Sequence, residues 1–350
     1  MGCIFLQAYI ISFMVALIVT YLSTPYVKKL AVKAGVLDAP DHRKVHNTPI
    51  PRMGGLAIYF GFVLAILASM PVSREILGIL LGGTMILIIG LIDDVKPLSA
   101  KTKLLGQILA ASVLVLFNVS IQWLSNPFGG IIYLDYLAIP ITILWVVSLT
   151  NTINLIDGLD GLAAGVSTIA SITILLVALQ QGFGLVAIMS AALAGSALGF
   201  LQHNFNPAKI FMGDTGSMFL GYMLAAISIL GTVKSAATIA LIVPIVALGL
   251  PIMDTAFAII RRYTSGQPIF KPDKGHLHHR LLAIGLSQKQ AVLLMYIIST
   301  LLGVSAIALT SVNITAAIFI IISITALVLF GAKKIGVFKE HDEILEKARR

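Results

Sequence analysis

Acids, amides and histidines recur in this chain where long apolar segments end: Asp93-Asp94, Asn154 with Asp157 and Asp160, Asp214 in FMGDTGS, and His276, His278 and His279 in HLHH. A carboxylate at the edge of hydrocarbon is costly, so acids kept in such places serve chemistry more often than packing. Oxygen donors spread over several loops and interleaved with Lys and Arg suit a divalent cation that carries phosphate groups. Magnesium usually takes one or two carboxylates and completes its shell with water and substrate phosphates, while lysines neutralise the remaining phosphate charge. Gly213 and Gly216 flank Asp214, and Gly158 and Gly161 flank Asp160; lacking a Cβ, they would let a ligand approach the backbone. Plainer readings exist for each residue. Asp93-Asp94 would also cap a helix end, Asp157 and Asp160 would form a turn, and Phe211 would fill a core. A zinc site at the histidine run lacks Cys or a second tight His pair.

The elements that must carry these residues are membrane helices. With 58% hydrophobic residues, 11% charged residues and a mean hydropathy of +0.99, the chain lies far from soluble domains, in which about a quarter of residues are charged. Apolar runs long enough to span a bilayer cover Ile4–Thr24, Gly54–Met70, Ile76–Ile92, Leu104–Val119, Leu162–Gln180 and Leu185–Leu201, then Met218–Gly231, Ala237–Ile259, Ala291–Thr310 and Ile314–Phe330. Between Ile121 and Thr150, Pro127, Gly129-Gly130, Asp135 and Pro140 suggest an extracytoplasmic loop with extended structure and a short fifth span ending near Thr150. The expected fold is an all-α polytopic membrane protein of about eleven transmembrane helices. The first run has almost no basic flank and no small-residue cleavage site, which favours a retained helix over a cleaved signal. The single cysteine, Cys3, permits no intramolecular disulfide. Residues 1–332 read as one integral membrane catalytic domain and residues 333–350 as a short charged cytoplasmic tail.

Eleven spans separate positive charge sharply. All but Arg74 and Lys234 of the 24 Lys and Arg fall on one face, which the positive-inside rule makes cytoplasmic. The N-terminus is then outside and the C-terminus inside. The net charge of +9 becomes a one-sided basic surface facing anionic headgroups of membrane lipids, and no nucleic acid need be invoked. The same parity puts every polar cluster, and the first loop through His42, Lys44 and His46, on the cytoplasmic side. One site built from five loops follows.

The segments DDVKPLSAKTKLLGQ (Asp93–Gln107), NTINLIDGLDGLAAG (Asn151–Gly165), FMGDTGSMFLG (Phe211–Gly221) and HLHHRLL (His276–Leu282), in this order, resemble the polyprenyl-phosphate N-acetylhexosamine-1-phosphate transferases. The first loop, DAPDHRKVHNTPIPRMGG from Asp38 to Gly55, is similar to that family's first cytoplasmic loop and brings Lys44 into the substrate-binding set. The resemblance covers about the whole membrane region. Leu277 interrupts the three consecutive histidines usual in the peptidoglycan branch, so HLHHRLL resembles the branch that starts teichoic-acid, O-antigen or related glycans from UDP-GlcNAc. The resemblance implies attack by undecaprenyl phosphate on UDP-GlcNAc in a bacterial plasma membrane, releasing UMP, with phospho-MurNAc-pentapeptide transfer as the alternative. It implies magnesium (Mg2+), or manganese (Mn2+) in its place, with Asp214 as ligand and Asn154 as a second contact to metal or pyrophosphate. It sets Asp160 at the uracil edge, Phe211 on the base and Lys103 near the phosphates. Asp93 and Asp94 are the catalytic pair, one of them orienting or deprotonating the acceptor phosphate, and Asp157 supports Asn154 or the loop. His276, His278, His279 and Arg280 are expected to meet the donor's sugar and pyrophosphate. Dimeric relatives leave a homodimer open.

Two other classes compete. A secondary transporter would hold its charges near the midplane in repeated halves, and here they lie at segment ends without repeats. An intramembrane aspartyl protease needs two carboxylates sharing a proton and has no use for the lysines, the histidines, Asn154 or Asp160.

Overall fold

The computed structural model describes residues 2–40, 48–125, 130–234, 242–264, 266 and 275–335. Helix α1 (Gly2–Lys33) is followed by a small antiparallel pair, β1 (Leu37–Asp38) and β2 (Ile50–Pro51), then α2 (Gly55–Ser69), α3 (Arg74–Val95) and α4 (Ala100–Leu116). A second hairpin, β3 (Trp123–Ser125) with β4 (Ile131–Tyr133), leads through a 3-10 turn at Asp135–Leu137 into α5 (Ala138–Ile156), α6 (Leu162–Gln181), α7 (Gly184–Asn204) and α8 (Gly213–Lys234). The chain closes with α9 (Ile242–Ala247), α10 (Gly249–Thr264), α11 (Leu277–Ala283), α12 (Gln288–Leu309) and α13 (Ile314–Ile335). Among the described residues, seven helices are long and apolar enough to cross a membrane: α1, α3, α5 with its preceding turn, α6, α7, α8 and α12. Gly55–Ser69 and Thr315–Gly331 are shorter apolar helices.

Burial follows composition around each helix. Helix α7 is apolar on all sides and rich in Ala, Gly and Ser, and its span is 78% buried; that of α8 is 89% buried. An all-round apolar helix belongs inside, and small residues let helices approach where lipid offers no hydrophobic drive for association. Helix α7 is wrapped by α1, α2 and α6, and α8 by α3 and α5. The outer helices keep apolar side chains exposed, as on α1 at Ile18 and Leu22 and on α13 at Phe319 and Leu327.

Three local features depart from the sequence reading. Helix α5 is a full 19 residues, because Pro140 sits in its first turn, where no N–H has an intrahelical partner. The hairpin β3–β4 is the extended structure expected between Ile121 and Thr150, whereas the pair β1–β2 adds strands that the all-α expectation did not include. The run Ala237–Ile259 is not one straight helix: within its described part, α9 gives way to α10 at Leu248, where Gly249 and the missing N–H of Pro251 break the ladder. Proline has the same effect inside α1, where Pro25 cannot bond the Tyr21 carbonyl; His203 Nε2 takes that carbonyl at 3.1 Å and its ring stacks on Tyr21.

The first turn of α8 is clasped by neighbouring backbones. A Cβ on Gly90 of α3 would come within 2.5 Å of Thr215 Cα, and one on Gly55 of α2 within 2.1 Å of the Gly216 nitrogen. Gly90→Ala is therefore expected to cost about 1–3 kcal/mol of stability, as overpacking does. Gly231→Ala, on the same α8 with nothing within 4 Å of the added carbon, serves as the control. Thermal unfolding in detergent should show a lowered midpoint for the first variant and none for the second.

Candidate active site

The start of α8 is held from outside itself. Gly213 takes a positive φ of 70°, and the Asp94 carboxylate, near the end of α3 and only 8% exposed, accepts hydrogen bonds from Asp214 N (3.0 Å), Thr215 N (3.2 Å) and the Thr215 hydroxyl (2.6 Å). Free N–H groups at a helix start attract negative charge, and here the acid comes from a neighbouring helix. Asp214 is thereby fixed on the turn that Asp94 grips. Its Oδ2 lies 2.7 Å from Lys103 Nζ, which also reaches Asp93 Oδ2 at 3.3 Å. Asp93 Oδ1 accepts the Leu98 N–H at 2.7 Å. Asn154, in the last turn of α5, donates to Ser217 Oγ at 2.9 Å. One turn deeper, Gln107 and Asn151 exchange amide bonds at 2.7 and 3.2 Å and join α4 to α5. Asp93, Asp94, Lys103, Asn154 and Asp214 thus form one cluster where α3, α4, α5 and α8 end or begin.

Asp160 lies in the turn between α5 and α6 and uses Oδ2 to accept Asn206 Nδ2 and Ala208 N, both at 3.0 Å. Asn204 accepts the Gly161 N–H and donates to the Ile210 carbonyl, each at 3.0 Å. Phe211 pairs its backbone with Pro51 and Gly54, so the segment before α8 is tied both to the Asp160 turn and to the first loop. Asp157, the residue after α5, is half-buried. Burial first, then the charges of Asp214 and Asp94, push its carboxyl up to about 8, with Arg52 opposing.

The histidine run begins α11. His276 Nδ1 lies 2.9 Å from Asp254 Oδ2 of α10, and its ring stacks on His278 at 5.8 Å. His278 is 1% exposed and packs on His279 at 4.2 Å between ring centroids. Burial and the adjacent His279 hold His278 down at about 3, a neutral imidazole at physiological pH. Arg280 is fully buried and donates from Nε to the Gly275 carbonyl.

The glycines flanking the acids hold protein where a ligand was expected. A Cβ on Gly213 would meet the Asp94 carboxylate at 2.2 Å, one on Gly158 the His278 ring at 2.4 Å, and one on Gly161 the Phe205 ring at 3.1 Å. Lys44 lies outside the described residues, as do residues 336–350 of the tail. Sequence reasoning missed Asp254, Thr215, Ser217, Asn204 and Asn206. Asp254 left a trace as the lone acid of the run from Ala237 to Ile259, whereas the hydroxyls and amides left none. Among the described residues no three His, Cys, Asp or Glu are grouped to hold a metal ion. The cluster instead offers carboxylate and amide oxygens around one ammonium, a donor set for a hard cation that takes few protein ligands.

A carboxyl raised to about 8 stabilises the fold fully below the value of 3.8 that an unfolded carboxyl has, and that contribution is lost as pH rises to about 8. Asp157→Asn should remove this dependence. With chelator present, the melting temperature of the variant relative to the unsubstituted protein is expected to climb from pH 5 toward pH 8. Parallel curves would take Asp157 out of this account.

Comparison with known proteins extends the picture. The model of glycosyl transferase family 4 matches residues 76–232, the stretch from α3 through α8. The chain is 45% identical over 333 residues to the probable undecaprenyl-phosphate N-acetylglucosaminyl 1-phosphate transferase of Bacillus subtilis, covering 95% of this chain and 93% of that one. It is 44% identical over 313 residues to the decaprenyl-phosphate N-acetylglucosaminephosphotransferase of Mycolicibacterium smegmatis, covering 81% and 77%. Identity is 33% over 309 residues, covering 83% and 94%, with the phospho-N-acetylmuramoyl-pentapeptide-transferase of Caldanaerobacter subterraneus subsp. tengcongensis. The chain belongs to glycosyl transferase family 4, among its polyprenyl-phosphate N-acetylhexosamine-1-phosphate transferases.

Proposed function

We propose that this protein transfers GlcNAc-1-phosphate from UDP-GlcNAc to undecaprenyl phosphate, giving undecaprenyl-pyrophosphoryl-GlcNAc and UMP. The observation that carries the reading is 45% identity along nearly the whole of a transferase named for that lipid and sugar. The lower identity to pentapeptide transferases, together with Leu277 inside the histidine run, favours the GlcNAc branch. The product would initiate a cell-wall or surface glycan of the teichoic-acid or O-antigen kind. In our reading residues 1–332 form one domain with eleven crossings in a bacterial plasma membrane, the N-terminus outside and the site and C-terminus cytoplasmic. The placement of 22 of 24 Lys and Arg on one face supports that orientation. A homodimer is compatible with it.

Phosphoryl transfer asks mainly for alignment and for neutralisation of the charge spread over the phosphoryl oxygens. Asp214 and Asn154 would hold magnesium, or manganese in its place, which supplies charge neutralisation at the donor pyrophosphate. Lys103, already 2.7 Å from Asp214, is the group that would move to a phosphate oxygen. An acceptor phosphate monoester, with a second pKa of about 6, is largely ionised at neutral pH. No strong base is then required. Asp93, oriented by the Leu98 N–H and Lys103, would align the attacking oxygen, while Asp94 holds the turn that carries Asp214. The acceptor oxygen forms its bond to the sugar-linked phosphorus as the bond to the UMP oxygen breaks. Asp160 would use its second oxygen for the uracil edge, Phe211 would pack on the base, and His278 and His279 would border the sugar.

Purified protein with undecaprenyl phosphate, magnesium and a panel of UDP-sugars should release UMP from UDP-GlcNAc and none from UDP-MurNAc-pentapeptide. Efficient use of the latter would overturn the branch assignment. Asp214→Asn should stay folded in detergent and lose turnover by at least about a hundredfold, the scale on which a group stabilising transition-state charge acts. Near-normal UMP release by this variant would remove Asp214 from the centre.

A further inference from the structure

Helix α10 carries one acid, Asp254, which is 5% exposed. A buried carboxylate needs partners, and both of its oxygens have one: Oδ2 lies 2.9 Å from His276 Nδ1, and Oδ1 accepts the Leu277 N–H at 2.8 Å. An ionised carboxylate only accepts hydrogen bonds, so His276 carries its proton on Nδ1, and Nε2 is left as the ring's other functional atom. The partners stand 22 and 23 residues away in sequence, so this contact, and not chain proximity, locates the start of α11. The His276 ring lies parallel to that of His278, at 6° between planes, and His278 fills the space beside Gly158. A line of contact runs from Asp254 through two imidazoles to the turn that carries Asp157 and Asp160.

We propose that Asp254 is a positioning residue for the donor side of this site, acting through His276 on His278 and the Asp157–Asp160 turn. The inference rests on the transferase reading above for its kinetic consequence, and on the geometry alone for its structural one. An asparagine at 254 keeps an acceptor for the Leu277 N–H and presents an N–H2 group to His276, which inverts the proton placement on the ring.

The test uses the full chain in detergent: Asp254→Asn, His276→Ala and the double variant, with KM and kcat measured for both substrates. Asp254→Asn should raise KM for UDP-GlcNAc by roughly tenfold, the effect of one mispaired buried polar group, and leave KM for undecaprenyl phosphate unchanged. In the His276→Ala background the same substitution should add nothing. Protein labelled with 15N-histidine gives a readout that needs no substrate. The signal lost in His276→Ala should report protonation on Nδ1 in the unsubstituted protein and on Nε2 in Asp254→Asn. Protonation on Nε2 in the unsubstituted protein, additive effects in the cycle, or a fall in kcat alone would each overturn the proposal. The first of these holds even where Asp254→Asn does not fold. Failure of the unsubstituted protein to release UMP from UDP-GlcNAc would instead remove the transferase reading, and the nitrogen spectrum would still decide the role of Asp254.

Discussion

Everything at the polar end of this bundle depends on one buried carboxylate gripping the start of a helix that is not its own. Asp94 receives two backbone N–H groups and a hydroxyl from Asp214 and Thr215, and the glycine at 213 lets that carboxylate come close. Without these bonds the first turn of α8 would leave its N–H groups unpaired inside the protein, at a cost of about 1–3 kcal/mol for each group. With them, Asp214 faces Lys103 and Asp93, and Asn154 reaches the same turn through Ser217. The buried helices α7 and α8 form the rigid floor of this arrangement. Polar ties from Asp160, Asn204 and Asn206 hold its rim.

Such a design suits a reaction between a lipid phosphate and a soluble nucleotide sugar. The chemistry requires little beyond proximity, in-line geometry and fixed positive charge, and the cluster lies where α3, α4, α5 and α8 end or begin. The cluster sets the carboxylates of Asp93, Asp94 and Asp214 around the single ammonium of Lys103.

Much of this was legible in the sequence, and the pattern of what was not is physical. Asp93, Asp94 and Asp214 stood out because acids at the ends of apolar runs are rare, and Lys103 because the segment Asp93–Gln107 resembles a motif of the family. What each acid touches was hidden: the bonds of Asp94 reach across 120 and 121 positions, a distance no local spacing encodes. The plain capping reading of Asp94 proved partly right, since it does cap a helix, although a distant one. Asp254 escaped because a hydropathy window averages one acid into its apolar neighbours, and the same averaging hid the break at Leu248. Pro140 misled in the other direction, as a residue that ends helices also starts them. The glycines drew attention for the right reason, close approach, but the approaching groups are Asp94, His278 and Phe205.

The central claim is that Asp94 places Asp214, and single-turnover kinetics of Asp94→Asn test it most directly. The asparagine offers one acceptor where the carboxylate offered two, so the account predicts a folded protein that binds UDP-GlcNAc as before and forms UMP in the first turnover about a hundredfold more slowly, the penalty for a small misplacement of reacting groups. An unchanged first-turnover rate in a folded Asp94→Asn protein would contradict it.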